Sequence, residues 1–235
     1  MIPEPLLFVP DGPGPHPGLV IGMEATGINE FIRDVGARLR DLGYAVAIPD
    51  YYRGGGPPDP EDYDDVEAIM PHTFALDFPR AARDLIAAAD GLRARDDIDP
   101  EGVGYWGYCT GATVALLAAC LDRFSTAAVA FYPSQPTFGE LAPTRPAHLV
   151  DLLWMLTCPL LLIYGDQDVV MPVEQLDALD ERLTEWGVDH EVRVYPGAGH
   201  AFCAPSPTYL HAEAAAASWV DAVEWLARRV PRSTP

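Results

Sequence analysis

Short apolar runs, each bounded by glycine or proline and separated from the next by a segment of helical periodicity, narrow most sharply what this chain can fold into. The runs are Pro17 to Met23, Tyr44 to Pro49, Val103 to Tyr108, Ala127 to Tyr132, Pro159 to Tyr164 and Glu191 to Tyr195. They are largely continuous in apolar character, as strands covered on both faces must be. Between them the pattern predicts helices over Glu30 to Leu42, Ala75 to Ala94, Gly111 to Leu121, Glu174 to Trp186 and His211 to Arg229. In the last helix Ala215, Trp219, Val223 and Leu226 recur at helical spacing and predict the stripe that faces a sheet. Strand and helix in alternation specify an α/β fold, a mostly parallel sheet with crossover helices on both faces. Gly54 to Asp65 and Ser134 to Val150 are rich in Pro, Gly or acid and read as surface loops. No repeat or long linker divides the 235 residues, so one domain over 1–235 is expected.

Composition removes several kinds of chemistry. All 15 basic residues are arginines, which excludes a Schiff-base lysine and the phosphate-binding lysine of a Walker loop. A formal charge of -20 argues against nucleic acid or an anionic membrane as partner, because both are bound through basic surface. No basic-then-apolar leader opens the chain and no apolar stretch reaches spanning length, so a cytoplasmic protein is expected. Cys109, Cys120, Cys158 and Cys203 are scattered without C-x-x-C or zinc-like spacing, which predicts reduced thiols and no structural metal.

The strongest local signal is Gly107-Tyr108-Cys109-Thr110-Gly111, a G-x-C-x-G where the strand GVGYWGY meets the helix GATVALLAAC. Glycines on both sides permit a sharp strand-to-helix turn that stands the central side chain up beside a helix N-terminus. The positive end of that helix favours a thiolate, and nearby backbone N–H groups can hold an oxyanion. Cys120 and Cys158 lack this setting and read as core. After the run PLLLIYG comes Gly165-Asp166-Gln167-Asp168, where a carboxylate could accept the N–H of a histidine and hold its tautomer. Asp168 is preferred to Asp166, which suits a turn or cap. The base is expected at His200, in the glycine-rich PGAGHAF directly after the final run. Nucleophile, acid and base in the order Cys109, Asp168, His200 match the order of the α/β-hydrolase fold. His16 and His190 read as exposed loop residues. After GLVIGM, the segment Glu24-Ala25-Thr26-Gly27 occupies the place of the second oxyanion donor, so the N–H groups of Ala25 and Thr110 are the expected pair. Tyr52, Arg53, Tyr108 and Phe202 flank these segments and are the expected substrate contacts. No cofactor is required.

The segments MEATGIN, YAVAIPDYY, GYWGYCTGA, YGDQDVVMP and YPGAGHAF together resemble the dienelactone hydrolases, also called carboxymethylenebutenolidases, in the order of that family. The resemblance implies Cys109 as nucleophile, His200 as base, Asp168 as its orienter and Glu24 as a partner that helps ionise the thiol. It also implies a small ester or lactone as substrate. The chain departs from the family where dienelactone-cleaving members hold the substrate carboxylate with two arginines. One position is Ala204 here, and DDVEAIMPHTF, where the other would lie, contains no arginine. Small neutral or weakly polar substrates are therefore expected, with Arg53 and Arg145 the cations whose loops could approach the pocket. The same residues would serve a thioesterase, and the fold alone would also suit a binding protein without activity.

Overall fold

The computed structural model describes residues 4–230. Its seven strands form one sheet: β1 (Leu6–Phe8), β2 (His16–Gly22), β3 (Ala45–Ile48), β4 (Ile98–Tyr108), β5 (Ala128–Phe131), β6 (Leu160–Gly165) and β7 (His190–Tyr195). Their order across the sheet is β1-β3-β2-β4-β5-β6-β7, with β1 antiparallel to β3 and every other pairing parallel. The six expected runs are the six parallel strands. β1 was not expected as a strand: three residues carry no readable period, and the antiparallel partner Ala45–Ile48 supplies the ladder that defines it.

Six helices cover the sheet: α1 (Glu30–Asp41), α2 (Val66–Phe74), α3 (Phe78–Arg93), α4 (Cys109–Leu121), α5 (Val173–Glu185) and α6 (Ala212–Arg229). α1 starts at Asn29, whose side chain accepts from Ile32 N, and α3 starts at Asp77, whose side chain accepts from Arg80 N. These caps satisfy N–H groups that the first helical turn leaves free. The helix expected from Ala75 begins instead at Phe78, and α2 precedes it as a separate nine-residue helix. α2 ends at the cap residue Ala75 and α3 starts afresh at the capping Asp77, which keeps the two apart.

Neighbouring β4 residues reveal the two layers. Trp106 meets Trp219 of α6, with ring centroids 5.7 Å apart, while a Cβ on Gly107 would lie 2.6 Å from Ala112 Cα of α4. Successive strand residues point to opposite faces, so α6 and α4 lie on opposite sides of the sheet. The Arg38 guanidinium of α1 sits 3.7 Å from the centre of the Trp219 ring, which places α1 beside α6. The core between the layers includes Leu19, Val20, Ile21, Trp106 and Leu160 to Tyr164, all without solvent exposure. Each large apolar side chain so buried contributes on the order of 2 kcal/mol. α6 is rotated from the expected stripe: Ala214, Ser218, Ala222, Trp225 and Leu226 are buried, whereas Ala215, Trp219 and Val223 are half-buried flanks. Small residues take the line of closest approach, and Trp219 packs at the side between Trp106 and Arg38. Among the described residues no helix is long and apolar enough to cross a membrane, and the four cysteines are free thiols.

Candidate active site

The strand β4 passes into α4 with no intervening loop, and Cys109 stands at the joint with φ +49°. Left-handed backbone is strained for a residue with a side chain. It persists because the joint is clamped on every side. A Cβ on Gly111 would fall on Met23 O and Gly22, and one on Gly22 would fall on Gly111 O. Only glycine at both positions lets α4 press directly onto β2. The Cys109 carbonyl accepts from Ser134 N at 3.2 Å, and Ser134 Oγ lies 3.1 Å from Thr110 Oγ1. Thr110, in the first turn of α4, has no residue a turn earlier in the helix to take its N–H.

Cys109, half-buried at this joint, has its Sγ 3.3 Å from His200 Nε2. His200 Nδ1 lies 2.9 Å from Asp168 Oδ2. The other oxygen of the buried Asp168 carboxyl accepts from Val170 N (2.8 Å) and Met171 N (3.2 Å), so its own loop fixes its orientation. Asp166, the alternative acid, faces elsewhere: it accepts from Gly197 N at 2.7 Å. Gln167 N donates to Ala198 O at 2.9 Å, and Gly165 leaves room for that same carbonyl. Asp166 therefore ties the loop that carries Asp168 to the loop that carries His200. Burial pushes the His200 imidazole toward its neutral form, but the Cys109 sulfur and the Asp168 carboxylate outweigh it and raise its pKa to about 10.

Glu24 is buried beside this line. Its Oε1 accepts from the Tyr132 hydroxyl at 3.3 Å, while Oε2 has no partner within bonding distance. The Tyr63 hydroxyl, itself accepting from Asn29 at 2.5 Å, acts on the carboxylate from further out. Burial raises the Glu24 pKa to about 7, and the hydroxyls and His200 hold it from going higher. Tyr132, at φ +37° just past β5, also sets its ring against His200 (centroids 5.5 Å apart) and Phe202 (5.2 Å). Neither Tyr132 nor Tyr63 was expected here. Their only sequence signal is position: Tyr132 closes a strand at the carboxyl edge, where this fold gathers its site residues. Ala25 lies in the turn closed by Gly27 N on Glu24 O, and its carbonyl accepts from the Tyr52 hydroxyl at 3.0 Å.

Three of the expected substrate contacts are engaged with other parts of the chain. Tyr108 is buried and stacks on Phe131 at 4.5 Å, because its strand position points into the core. Phe202 is fully buried against Tyr132 and Tyr195. Arg53 is tied by two hydrogen bonds (2.9 and 2.6 Å) to the buried Asp84 of α3, which fixes its guanidinium. Tyr52 remains half-buried at the edge of the site. His190, read as an exposed loop residue, opens β7 and bonds Asp180 at 2.9 Å, and His16 likewise starts a strand.

A sequence model described as the dienelactone hydrolase family matches residues 4–230. A curated relative from Escherichia coli, provisionally named a carboxymethylenebutenolidase, is 31% identical over 214 residues, covering 90% of this chain and 77% of its own. One from Bradyrhizobium, provisionally named a 2-oxo-3-(5-oxofuran-2-ylidene)propanoate lactonase, is 28% identical over 189 residues, covering 80% and 74%. Among solved structures, a protein of Klebsiella pneumoniae provisionally described as a dienelactone hydrolase superposes with a TM-score of 0.83 at 30% identity, covering 93% of this chain and 89% of that one.

Proposed function

Because this chain belongs to the dienelactone hydrolase family, we propose that it cleaves small neutral esters or lactones through an acyl-enzyme on Cys109. The observation that carries the reading is the line from Cys109 Sγ to His200 Nε2 (3.3 Å) and from His200 Nδ1 to Asp168 (2.9 Å), set at a strand-to-helix joint. His200 Nε2 takes the thiol proton, and the sulfur attacks the carbonyl carbon. The N–H groups of Ala25 and Thr110 receive the oxyanion. As the tetrahedral intermediate collapses, His200 gives its proton to the leaving oxygen. Water then enters, loses a proton to His200 and attacks the thioester, and the second collapse returns the proton to sulfur and frees the acid. Asp168 keeps Nδ1 protonated throughout, so that Nε2 faces the sulfur. The lactonase among the relatives supports a cyclic ester as one acceptable substrate. Neutral substrates are favoured because Ala204 and α2 supply no arginine and Arg53 is engaged by Asp84.

An aryl acetate tests the reading. The wild type should release the aryl alcohol in a burst of one equivalent per chain and carry a transient acetyl group on Cys109, visible by mass spectrometry of the acid-quenched protein. Cys109→Ala should give neither burst nor turnover while keeping its circular dichroism. Full turnover by folded Cys109→Ala would overturn the assignment. Faster turnover of a matched thioester than of the oxygen ester would move the substrate class to thioesters.

A further inference from the structure

The turn that carries the Ala25 N–H is held by two consecutive tyrosines from a different loop. The Tyr51 hydroxyl donates to Met23 O at 2.6 Å, with Glu24 O 3.4 Å away, and the Tyr52 hydroxyl donates to Ala25 O at 3.0 Å. Gly27 N donates to Glu24 O at 3.1 Å, so the carbonyls of Met23, Glu24 and Ala25 each receive a donor. The Ala25 N–H has no acceptor among the described residues. In a planar trans peptide C=O and N–H point in opposite directions. The peptide between Glu24 and Ala25 is thus fixed by its own carbonyl and by the pinned peptides before and after it, which leaves its N–H on the far side from the Gly27 donor.

Adjacent tyrosines reach adjacent stretches of this turn because Asp50 closes their own loop. Its carboxylate accepts from Tyr52 N (2.9 Å) and Gly54 N (2.7 Å), its carbonyl accepts from Arg53 N (3.0 Å), and the two rings meet edge to face at 5.0 Å. From α2, Thr73 Oγ1 lies 3.5 Å from the Tyr52 hydroxyl. Burial, with the nearby charges of Cys109 and Asp50, pushes the Tyr52 pKa up to about 12, and burial lifts Tyr51 well above its ordinary value. Both hydroxyls therefore keep their protons and remain donors at neutral pH. Resting on the hydrolytic reading, we infer that Tyr51 and Tyr52 are positioning residues for the oxyanion: they fix the Ala25 N–H where charge develops, and Tyr52 acts through this bond rather than as a substrate contact. A preorganised donor needs no reorganisation as the carbonyl becomes tetrahedral, and a turn free to pivot would forfeit part of that stabilisation.

Tyr52→Phe deletes the hydroxyl and keeps the ring. With aryl acetates kcat should fall about tenfold or more while KM stays within about twofold, and the fall should be alike for several leaving groups. Trifluoroacetophenone accepts the Cys109 sulfur at its carbonyl carbon, the thiol proton passing to His200, and so holds a stable oxyanion where the transition state carries one. Its inhibition constant should rise by the factor by which kcat/KM drops. Alkylation of Cys109 by iodoacetamide displaces iodide and develops no oxyanion, so its rate should stay within about twofold of wild type. Tyr51→Phe should repeat the pattern, and Tyr52→Phe decides the matter if the fully buried Tyr51 does not tolerate the change. Unchanged kcat and inhibition in either folded variant, a rise in KM alone, or alkylation slowed in step with kcat would each overturn the inference, the second by making Tyr52 a substrate contact and the third by assigning its action to the thiol. Failure of the hydrolytic reading shows separately, in the wild type, as no adduct of Cys109 with either ester or ketone.

Discussion

At the scale of single residues, two buried carboxyl groups in one site differ in their partners. Asp168 accepts two backbone N–H bonds and lies 2.9 Å from His200 Nδ1, contacts that fix the orientation of the imidazole. Asp168→Asn should therefore preserve the fold but present the wrong imidazole nitrogen to sulfur, lowering kcat by about 10³-fold or more with little change in KM. Steady-state kinetics on an aryl acetate check this. Glu24 is buried with one oxygen unpartnered, and burial raises its pKa from 4.5 to about 7. Between those values the folded chain keeps a proton that the unfolded chain has already released, so stability falls as pH rises through that window. Glu24→Gln removes the titration. Its stability relative to wild type should be flat below pH 4.5, grow across the window by on the order of 3 kcal/mol and level off above it. Thermal midpoints of both proteins at pH 5 and pH 8 measure the difference, and a pH-independent gap would mean that the buried carboxylate does not titrate there. The same variant should alkylate and turn over differently from wild type if Glu24 helps ionise Cys109, whereas changes within about twofold in both would make it a bystander.

At the scale of elements, the joint between β2 and α4 depends on backbone approaching backbone. Gly111→Ala would set a methyl against Met23 O and Gly22, neither of which can yield without shifting the strand, so a loss of about 3 kcal/mol or more is expected. Gly91→Ala is the control within the same layer. That glycine is exposed in α3 with nothing within 4 Å of its added methyl, and the change should stabilise by about 0.5–1 kcal/mol. Urea denaturation of the two variants should thus move in opposite directions. The rotation of α6 follows the same logic, since close approach selects Ala214, Ser218 and Ala222 for the contact line and leaves the bulk of Trp219 at its flank.

At the scale of the whole molecule, a formal charge of -20 acts on stability and on substrate alike. Self-repulsion of like charges is screened by salt, so raising ionic strength from about 20 mM to about 500 mM should raise Tm by a few degrees, as differential scanning calorimetry would record. The same field repels anionic substrates. The ratio of kcat/KM for a neutral ester over its carboxylated analogue should exceed tenfold at low salt and shrink as salt is added. A ratio independent of ionic strength would instead locate the discrimination in the pocket itself.

What a local stretch of chain can encode was legible before any coordinates. Six of seven strands and the joint at Cys109 rest on periodicity over a few residues and on glycines whose freedom is a local property, whereas the order Cys109, Asp168, His200 was read from its match to the order of the α/β-hydrolase fold. Whatever depends on partners far along the chain was decided only in three dimensions. β1 exists because Ala45–Ile48 offers it a ladder. Tyr132 reaches Glu24 across 108 positions of sequence. Arg53 is bonded to Asp84, 31 residues on. Tyr108 and Phe202 carry the right chemistry for a pocket, but strand alternation and aromatic packing send their rings into the core. Side-chain direction follows from which elements pack together, and that packing is a property of the assembled chain rather than of any segment within it.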